Sequence, residues 1–381
     1  MPTRRIAVMV GAGSGWGNGI LRGIVHYAVA HGPWEFCVEF PGLSVVAVRD
    51  WQVDGIIVPV RGEEYARLFR ERPVPVVNVC GIVGEPGLPT VRVDDMAAGR
   101  LGAEHLLERG FRHYAFCGFA DFNFSDRRRE GFGETVRKAG HDVSVYVQDP
   151  ALKTEWSWDR QEMDLARWVA SLAGPVGIMA SNDERAWHLT EACRRVGVRV
   201  PEEAAIIGVD NDELRCEFSS PPTSSVAVPA ERIGFEAAAM LDRLIQGGPA
   251  PREPVLIRPQ GVVARRSTDV VAVDDPEVVR AFHFIRDHAG EPFEVDDLVK
   301  EVGTPRQELE ERFRTNLGHT VEAEIHRARV RRAERILSDT DLAIPAAAAA
   351  SGFRSPAHFS SAFRRLTGLS PSEYRQRFRL R

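Results

Sequence analysis

Short apolar runs alternate with amphipathic helical stretches over about the first 265 residues of the sequence. Runs such as RIAVMV (5–10), DGIIVPV (54–60) and AAIIGVD (204–210) predict strands, whereas segments 95–110 and 229–248 predict helices. Strands that are apolar on both faces are typical of a parallel sheet with helices on both sides. This alternation predicts an α/β fold for the first two thirds of the chain.

The pattern changes after the segment VVAVDDPE (270–277), where strand-like runs stop and helices follow one another with short turns. Pro276 in the first turn and Gly290 just past the end delimit the first of these helices. A chain of 381 residues is also too long for one ordinary domain. We therefore predict two domains, 1–268 and 269–381.

The helical domain contains two helix–turn–helix patterns, at about 294–317 and 343–368. In each second helix a leucine or phenylalanine stands four residues before a phenylalanine, a spacing that places both on one buried face. These pairs are Leu309 with Phe313 and Phe359 with Phe363. Segment 319–337 is long enough to join the two patterns as one helix and to hold their second helices about 34 Å apart, one turn of DNA.

Charge is distributed unevenly along the chain. The net charge of −5 argues against a general nucleic-acid-binding surface, but twelve arginines face only four acidic residues from Arg327 to the end. The segment GFRSPAHFSSAFRRLTGLSPSEYR (352–375) closely resembles the signature of AraC/XylS-type transcription regulators. The resemblance extends from Pro276 to the end and implies binding to double-stranded operator DNA.

Site residues in this domain follow from the resemblance, position by position. It implies that bases are read by Arg306, Gln307 and Glu310 in the first unit and by Pro356, Ala357, Ser360 and Ser361 in the second. Arg354, Arg364 and Arg365 are the expected phosphate contacts. Because Glu308, Glu310 and Glu311 would repel phosphates, we expect the second unit to be the main DNA contact.

The glycine-rich segment GAGSGWGNG (11–19) lies between a predicted strand and a predicted helix, as a dinucleotide-binding fingerprint would. The third glycine of that fingerprint is missing in every register, where Trp16, Asn18 or Ile20 stands instead. We therefore expect no dinucleotide cofactor and a glycine-rich turn that faces another ligand. The five scattered cysteines lack metal-ligand spacing and indicate reduced thiols, no metal and a cytoplasmic protein.

Acidic, amide and guanidinium side chains recur where predicted strands end, the edge at which open α/β sheets bind ligands. Such groups can donate to and accept from the hydroxyls of a sugar. The candidate ligand residues are Asn78, Asp95, Arg128, Asn182, Asp183, Arg185, Asp210 and Asn211. An alternative is that Asp94, Asp95 and Asp183 only cap the following helices. A glycosidase with two of these carboxylates is a further alternative and would need an acid of raised pKa.

The first domain resembles the sugar-responsive domain of LacI/GalR regulators over residues 4–268. The matching segments include DGIIVPV, VDDMAAGRLGAEHLLERGFRHYAFCG, SNDERA, GVDNDE and RRST. The resemblance implies a two-lobed, periplasmic-binding-protein-like sensor in which Asp183, Arg185 and Asp210 hold a sugar. No DNA-binding segment precedes the first strand, so we expect DNA contact in the C-terminal domain. A sensor of this type followed by an AraC-type domain resembles the group of xylose operon regulators.

Together these observations predict a sugar-responsive, sequence-specific activator of pentose catabolic genes that is not an enzyme. The expected partners are operator DNA, a sugar effector with D-xylose as a candidate, RNA polymerase and a second copy of the chain. The alternatives are a regulator of the same architecture that responds to a hexose, nucleoside or sugar derivative, and a sugar- or NAD-binding enzyme. No apolar run approaches the ~20 residues needed to cross a membrane, so no membrane partner is expected.

Overall fold

The computed structural model describes residues 3–38, 52–148, 158–273 and 275–378. They form two compact units. The first, called the α/β unit, comprises Met1–Leu107 and Phe111–Val270, and the second, called the helical unit, comprises Glu108–Gly110 and Val271–Arg381. Among the described residues, no helix has the length and apolarity required to span a bilayer.

The α/β unit contains a first parallel sheet of four strands in the order β2-β1-β3-β4. Its strands are β1 (Arg4–Val8), β2 (Trp34–Val38), β3 (Gly55–Val58) and β4 (Val76–Asn78). A two-stranded parallel sheet of β5 (Val91–Val93) and β11 (Val255–Ile257) lies beside it. Every residue of β3 is buried, as the continuous apolar run predicts for a strand covered on both faces.

A second sheet of six strands has the order β12-β10-β9-β8-β6-β7. Its pairs are parallel except for the antiparallel edge pair of β10 and β12. The strands are β6 (His113–Phe119), β7 (Val143–Gln148), β8 (Val176–Ala180), β9 (Ala204–Asp210), β10 (Ser224–Ala227) and β12 (Gly261–Val263). The parallel order places the carboxyl ends of β6, β8 and β9 side by side at one edge.

Eight helices cover these sheets in the described residues. They are α1 (Gly15–His31), α2 (Glu63–Arg70), α3 (Asp95–Leu107), α4 (Asn123–Lys138), α5 (Trp158–Ser171), α6 (Asp183–Val196), α7 (Glu213–Phe218) and α8 (Ala230–Ile245). Helices α3 and α4 cross very closely, because a Cβ on Gly99 would lie 2.1 Å from the Arg128 carbonyl oxygen. This close crossing brings the first residue of α3, Asp95, next to the side chain of Arg128.

The four-stranded and six-stranded sheets lie in two separate lobes, as predicted. The N-lobe contains β1–β5, β11, α1, α2 and α8, and the C-lobe contains β6–β10, β12 and α3–α7. Each lobe has its own hydrophobic core. The chain passes between the lobes at β5–α3, β10–α8 and β11–β12. Helix α4 begins at Asn123, so Arg128 lies in its second turn.

The helical unit consists of seven helices in the described residues. They are α9 (Pro276–Asp287), α10 (Val295–Val302), α11 (Arg306–Leu317), α12 (Val321–Asp339), α13 (Ile344–Ala350), α14 (Pro356–Thr367) and α15 (Pro371–Phe378). The predicted joining helix is confirmed as α12, which contributes Val321 and Ile325 to one hydrophobic core and Ala333 and Leu337 to another. The two helix–turn–helix units therefore pack on opposite halves of α12.

Candidate functional site

Arg128 is the centre of a buried polar cluster at the carboxyl ends of the C-lobe strands. Its Nε donates to Asp95 Oδ1 at 2.9 Å, and its Nη1 donates to the Ser181 carbonyl oxygen at 2.6 Å. Its Nη2 lies 3.5 Å from Asp210 Oδ1. Only 4 % of Arg128 is exposed, so its guanidinium depends on these groups instead of water. The structure thus brings together Asp95, Arg128 and Asp210 of the predicted set.

The charges of this cluster strongly influence one another. Burial raises the pKa of Asp95, although the nearby charges of Arg128 and Arg92 lower it. Burial likewise raises the pKa of Asp210, again against Arg128. The Asp210 side chain keeps 21 % exposure, compared with 2 % for Asp95. Asp210 is therefore the carboxylate of the pair that remains accessible to a small molecule.

Asp183 lies behind the turn that carries Asp210. Its Oδ1 accepts from Ser225 Oγ at 2.6 Å, and its Oδ2 accepts from the Asp212 backbone N–H at 2.7 Å. Burial and the neighbouring Asp210 carboxylate both raise the Asp183 pKa. Asp210 and Asn211 have φ angles of +112° and +52°, which are strained for residues other than glycine. The Asp183 carboxylate therefore holds a strained turn in place.

Asn182 and Asn211 are part of the same edge but have backbone or side-chain partners there. Asn182 caps α6 by accepting from the Arg185 backbone N–H at 2.9 Å. The Asn211 side chain accepts from Arg265 Nη2 at 2.9 Å. Capping is also observed for Asp94, which accepts from the Ala97 N–H at 3.0 Å. Asp95 and Asp183 instead direct their carboxylates to tertiary partners.

Arg185 and Asn78 have other surroundings. Arg185 is 3 % exposed and stacks on the rings of Phe119 and Tyr146, at 5.2 and 5.4 Å from the ring centroids. Asn78 is fully buried in the N-lobe, where it accepts from the Val60 N–H and donates to the Cys80 carbonyl oxygen, each at 2.9 Å. Asn78 thus joins the ends of neighbouring strands in its own lobe.

Arg92 is a member of the cluster that sequence reasoning missed. It lies on β5, is 8 % exposed, and its Nη1 is 3.2 Å from Asn123 Oδ1 and 3.6 Å from Asp95 Oδ2. The sequence did contain a signal for it, an arginine within a short apolar strand. A buried arginine nearly always has an acceptor as its partner, so this position indicated a nearby carboxylate or carbonyl group. Ser181 and Ser225, which contact Arg128 and Asp183, carried no such signal.

The outward side of α14 is a candidate nucleic-acid interface in the helical unit. Phe359 and Phe363 are fully buried, which confirms the predicted inward face. The predicted outward residues are exposed: Arg354, Pro356, Ala357, Ser360, Ser361, Arg364 and Arg365. Arg354 bonds to the Pro292 carbonyl oxygen at 3.1 Å and pairs with Glu294. Within residues 275–378, Arg364 and Arg365 form no ion pair.

The first helix–turn–helix presents a different surface. Arg306 and Gln307 are exposed on α11, but Arg306 Nη1 lies 3.2 Å from Asp296 Oδ1. Glu310 is half-buried, and its carboxylate accepts from the Val321 N–H at 3.3 Å, at the start of α12. Glu310 therefore has an internal partner, which a base contact would have to displace.

A two-lobed sensor fold joined to a double helix–turn–helix defines a ligand-responsive DNA-binding transcription regulator. Residues 103–268 match the periplasmic binding protein-like domain family, and residues 298–377 match a helix-turn-helix domain family. The chain is 30 % identical to the xylose operon regulatory protein of Escherichia coli (strain K12), over 97 % of this chain and 96 % of that protein. The chain belongs to the family of xylose operon regulatory proteins.

Further comparisons agree with this assignment. The xylose operon regulatory protein of Haemophilus influenzae is also 30 % identical, over 97 % of this chain and 98 % of that protein. A solved structure of the xylose-binding transcription activator xylR has 29 % identity and a TM-score of 0.65, and the match covers both chains completely. The transcription regulator CcpA of Lactococcus lactis, at 22 % identity and a TM-score of 0.59, shares the fold over 70 % of this chain.

Proposed function

We propose that this regulator senses an uncharged pentose, with D-xylose as the first candidate, and activates genes for pentose catabolism. The observation that carries the proposal is the buried arrangement of Asp95, Arg128 and Asp210 at the strand ends of a sensor fold. The names of the related proteins, a xylose operon regulatory protein and a xylose-binding transcription activator, support the choice of sugar.

The chemistry of the cluster suits hydroxyl groups. Each hydroxyl can donate one hydrogen bond to a carboxylate and accept one from a guanidinium or amide N–H. Asp210 supplies an accessible acceptor, Arg128 supplies donors, and the Asn182 amide group can donate while its oxygen caps α6. The charges of the cluster balance, since the carboxylates of Asp95 and Asp210 stand beside the guanidiniums of Arg92 and Arg128. This balance favours a neutral sugar over a sugar phosphate or sugar acid.

On DNA, α14 supplies the main contacts. Arg364 and Arg365 bind phosphates, while Ala357, Ser360 and Ser361 meet base edges. Arg306 and Gln307 of α11 add a weaker second contact in the neighbouring groove. The protein acts in the cytoplasm as a homodimer that recruits RNA polymerase and catalyses no reaction. To move an equilibrium from 1:99 to 99:1, the sugar must prefer the active form by about 5.5 kcal/mol.

Calorimetric titration of the full chain tests the proposed effector. We expect D-xylose to bind more tightly than D-glucose, D-glucuronate and D-xylose 5-phosphate. Arg128→Lys keeps the charge but loses the forked geometry, so affinity should fall at least tenfold. Arg127→Ala changes an exposed arginine on the same helix and serves as the matched control. Tighter binding of a charged sugar, or equal affinity for Arg128→Lys, would contradict the proposed site.

Gel retardation tests the coupling to DNA. A fragment from upstream of a pentose catabolic operon should be retained by the full chain, and D-xylose should change its retention severalfold. Retention that no pentose alters would refute a sugar-responsive regulator, even if the DNA binding itself is specific.

A further inference from the structure

The glycine-rich segment 11–19 at the start of α1 has no role in the site described so far. Ser14 caps α1 by accepting from the Gly17 N–H at 3.1 Å. The backbone N–H of Gly15, the first residue of α1, donates to Asp212 Oδ2 at 2.9 Å. Gly15 belongs to the N-lobe and Asp212 to the C-lobe, so this hydrogen bond joins the two lobes.

Two features of α1 favour a carboxylate at this position. The first N–H groups of a helix have no partners within the helix, and the helix dipole adds positive potential there. Residue 15 also lies close to Asp212, because a Cβ there would be 3.2 Å from both Cα and Cγ of Asp212 and would push that residue away. By contrast, a Cβ on Gly13 would meet nothing within 4 Å. The anion at this glycine-rich turn is therefore one of the protein's own carboxylates.

Asp212 is fixed from the side of the C-lobe. It is 7 % exposed, its backbone N–H is bound by Asp183, and its carboxylate lies 3.5 Å from Arg215 Nε. It follows directly after Asp210 and Asn211, the two residues with positive φ. One short turn thus carries both Asp210, the accessible carboxylate beside Arg128, and Asp212, the contact to the other lobe.

We propose that Gly15 and Asp212 form a latch between the lobes that raises the affinity of the α/β unit for its sugar. The proposal rests on the sugar-binding function proposed above. A ligand between the lobes binds most tightly when they are close together, and the apparent affinity depends on how often the free protein adopts that arrangement. The latch increases this population, and Asp212 acts as a positioning residue that does not itself contact the sugar.

Hydrogen exchange of the sugar-free full chain tests whether the latch exists in solution. In the unmodified protein, the amide of Gly15 should exchange slowly compared with that of Gly13. Asp212→Ala should accelerate exchange at Gly15 at least fivefold, whereas Asp212→Asn, which keeps an acceptor oxygen, should accelerate it less. Equal exchange of Gly15 in the unmodified protein and in Asp212→Ala would refute the latch, whatever the ligand.

Calorimetric titration with D-xylose tests the consequence of the latch. Loss of a hydrogen bond to a charged group corresponds to about a tenfold weaker affinity in both Asp212→Ala and Gly15→Ala. The double variant should be no weaker than either single variant, because both remove the same contact. Gly13→Ala is the control and should stay within twofold, because a Cβ there would meet nothing within 4 Å.

Failure of the proposed sugar-binding function and failure of the latch can be distinguished. If the unmodified protein binds no sugar, the proposed function fails, and the exchange measurement still decides whether the latch exists. If the protein binds sugar with the same affinity in Asp212→Ala, Gly15→Ala and Gly13→Ala, the role of the latch is refuted while the proposed function stands.

Discussion

The two helix–turn–helix units have the same buried pattern and different charged surfaces. Leu309 and Phe313 of α11 are fully buried, as are Phe359 and Phe363 of α14. Both helices end at a glycine with positive φ, Gly318 in α11 and Gly368 in α14. The two helices therefore have buried apolar side chains and a terminal glycine at nearly equivalent positions.

The charged surfaces differ because two arginines of α11 have carboxylate partners within the protein. Arg306 pairs with Asp296, and Arg312 pairs with Asp275, Glu277 and Glu308. Arg364 and Arg365 of α14 form no ion pair among the described residues. A guanidinium that already has a carboxylate partner gains less from a phosphate than one surrounded by water. Two helix–turn–helix units with the same buried pattern can therefore differ in their affinity for DNA.

The acidic residues on α12 continue this difference. Burial raises the pKa of Glu324, but Arg331 and a hydrogen bond from His319 outweigh burial and bring the pKa to about 2. In Glu334, burial outweighs the charge of Arg331, and the pKa rises to about 7. In the half of α12 that supports the first helix–turn–helix, positive charge and hydrogen bonds thus offset the burial of a carboxylate. In the half that supports the second, they do not.

The largest expected effect comes from removing the unpaired arginines of α14. Arg364→Ala with Arg365→Ala should weaken operator binding about 100-fold at moderate salt and reduce the slope of log affinity against log salt by about 2. Fluorescence anisotropy over a series of salt concentrations measures both quantities. Arg252→Ala with Arg258→Ala removes two exposed arginines of the α/β unit and is the matched control. An unchanged slope in the α14 variant would contradict the comparison.

A smaller effect is expected from the paired arginine of α11. Arg306→Ala should weaken operator binding only about threefold, because the side chain must leave Asp296 before it can contact DNA. The same anisotropy assay measures this change. Asp296→Ala frees Arg306 and should leave affinity unchanged or improve it. A loss as large as that of the α14 variant would show that the first helix–turn–helix is an equal contact.

Removal of an exposed acid from α11 should have the opposite sign. Glu311 is exposed and forms no ion pair among the described residues, so it repels phosphates without internal compensation. Glu311→Gln should therefore strengthen operator binding about twofold at low salt, with the gain disappearing as salt is raised. Weaker binding by this variant would mean that Glu311 accepts a hydrogen bond from a base.

The smallest effect on DNA affinity is expected for Glu334→Gln, which changes stability instead. Because the folded-state pKa of about 7 lies above the ordinary value of 4.5, native Glu334 keeps its proton more readily than the unfolded chain does. The stability of the helical unit should therefore fall as pH rises from about 4.5 to 7. Glu334→Gln should match the original protein at pH 5 and exceed it by about 1 kcal/mol at pH 8. Thermal unfolding followed at both pH values, in the transition that operator DNA stabilises, measures this difference, and equal gains at both pH values would contradict it.

Local patterns predicted a large part of the fold and some of the candidate site. The alternation of strands and helices, the joining helix and the buried pairs of α11 and α14 are confirmed, because apolar periodicity acts over a few residues. Asp95, Arg128 and Asp210 were among the eight candidate ligand residues, which were chosen because open α/β sheets bind ligands where their strands end. Arg92, which pairs with Asp95 from another strand, was missed.

Local patterns could not show which partner a polar side chain has in the folded protein. Asn78 ends a strand as Asp210 does, yet it is enclosed within the N-lobe. Glu310 occupies a position on α11 that the family resemblance assigns to base contact, yet it bonds to the start of α12. Spacing predicts which side of an element a residue occupies, whereas its partner depends on what packs against that side.

The two domain types, the order of their helices and strands, and the kinds of polar group at the sheet edge can all be read from the amino-acid sequence. These properties depend on interactions between residues a few positions apart. Two other properties are visible only in the folded protein: Gly15 contacts Asp212, 197 positions away, and Arg364 and Arg365 of α14 have no ion pair among the described residues. The physical reason is that pairing of charges and hydrogen-bonding groups depends on distances of a few ångströms, which only the packing of whole elements establishes.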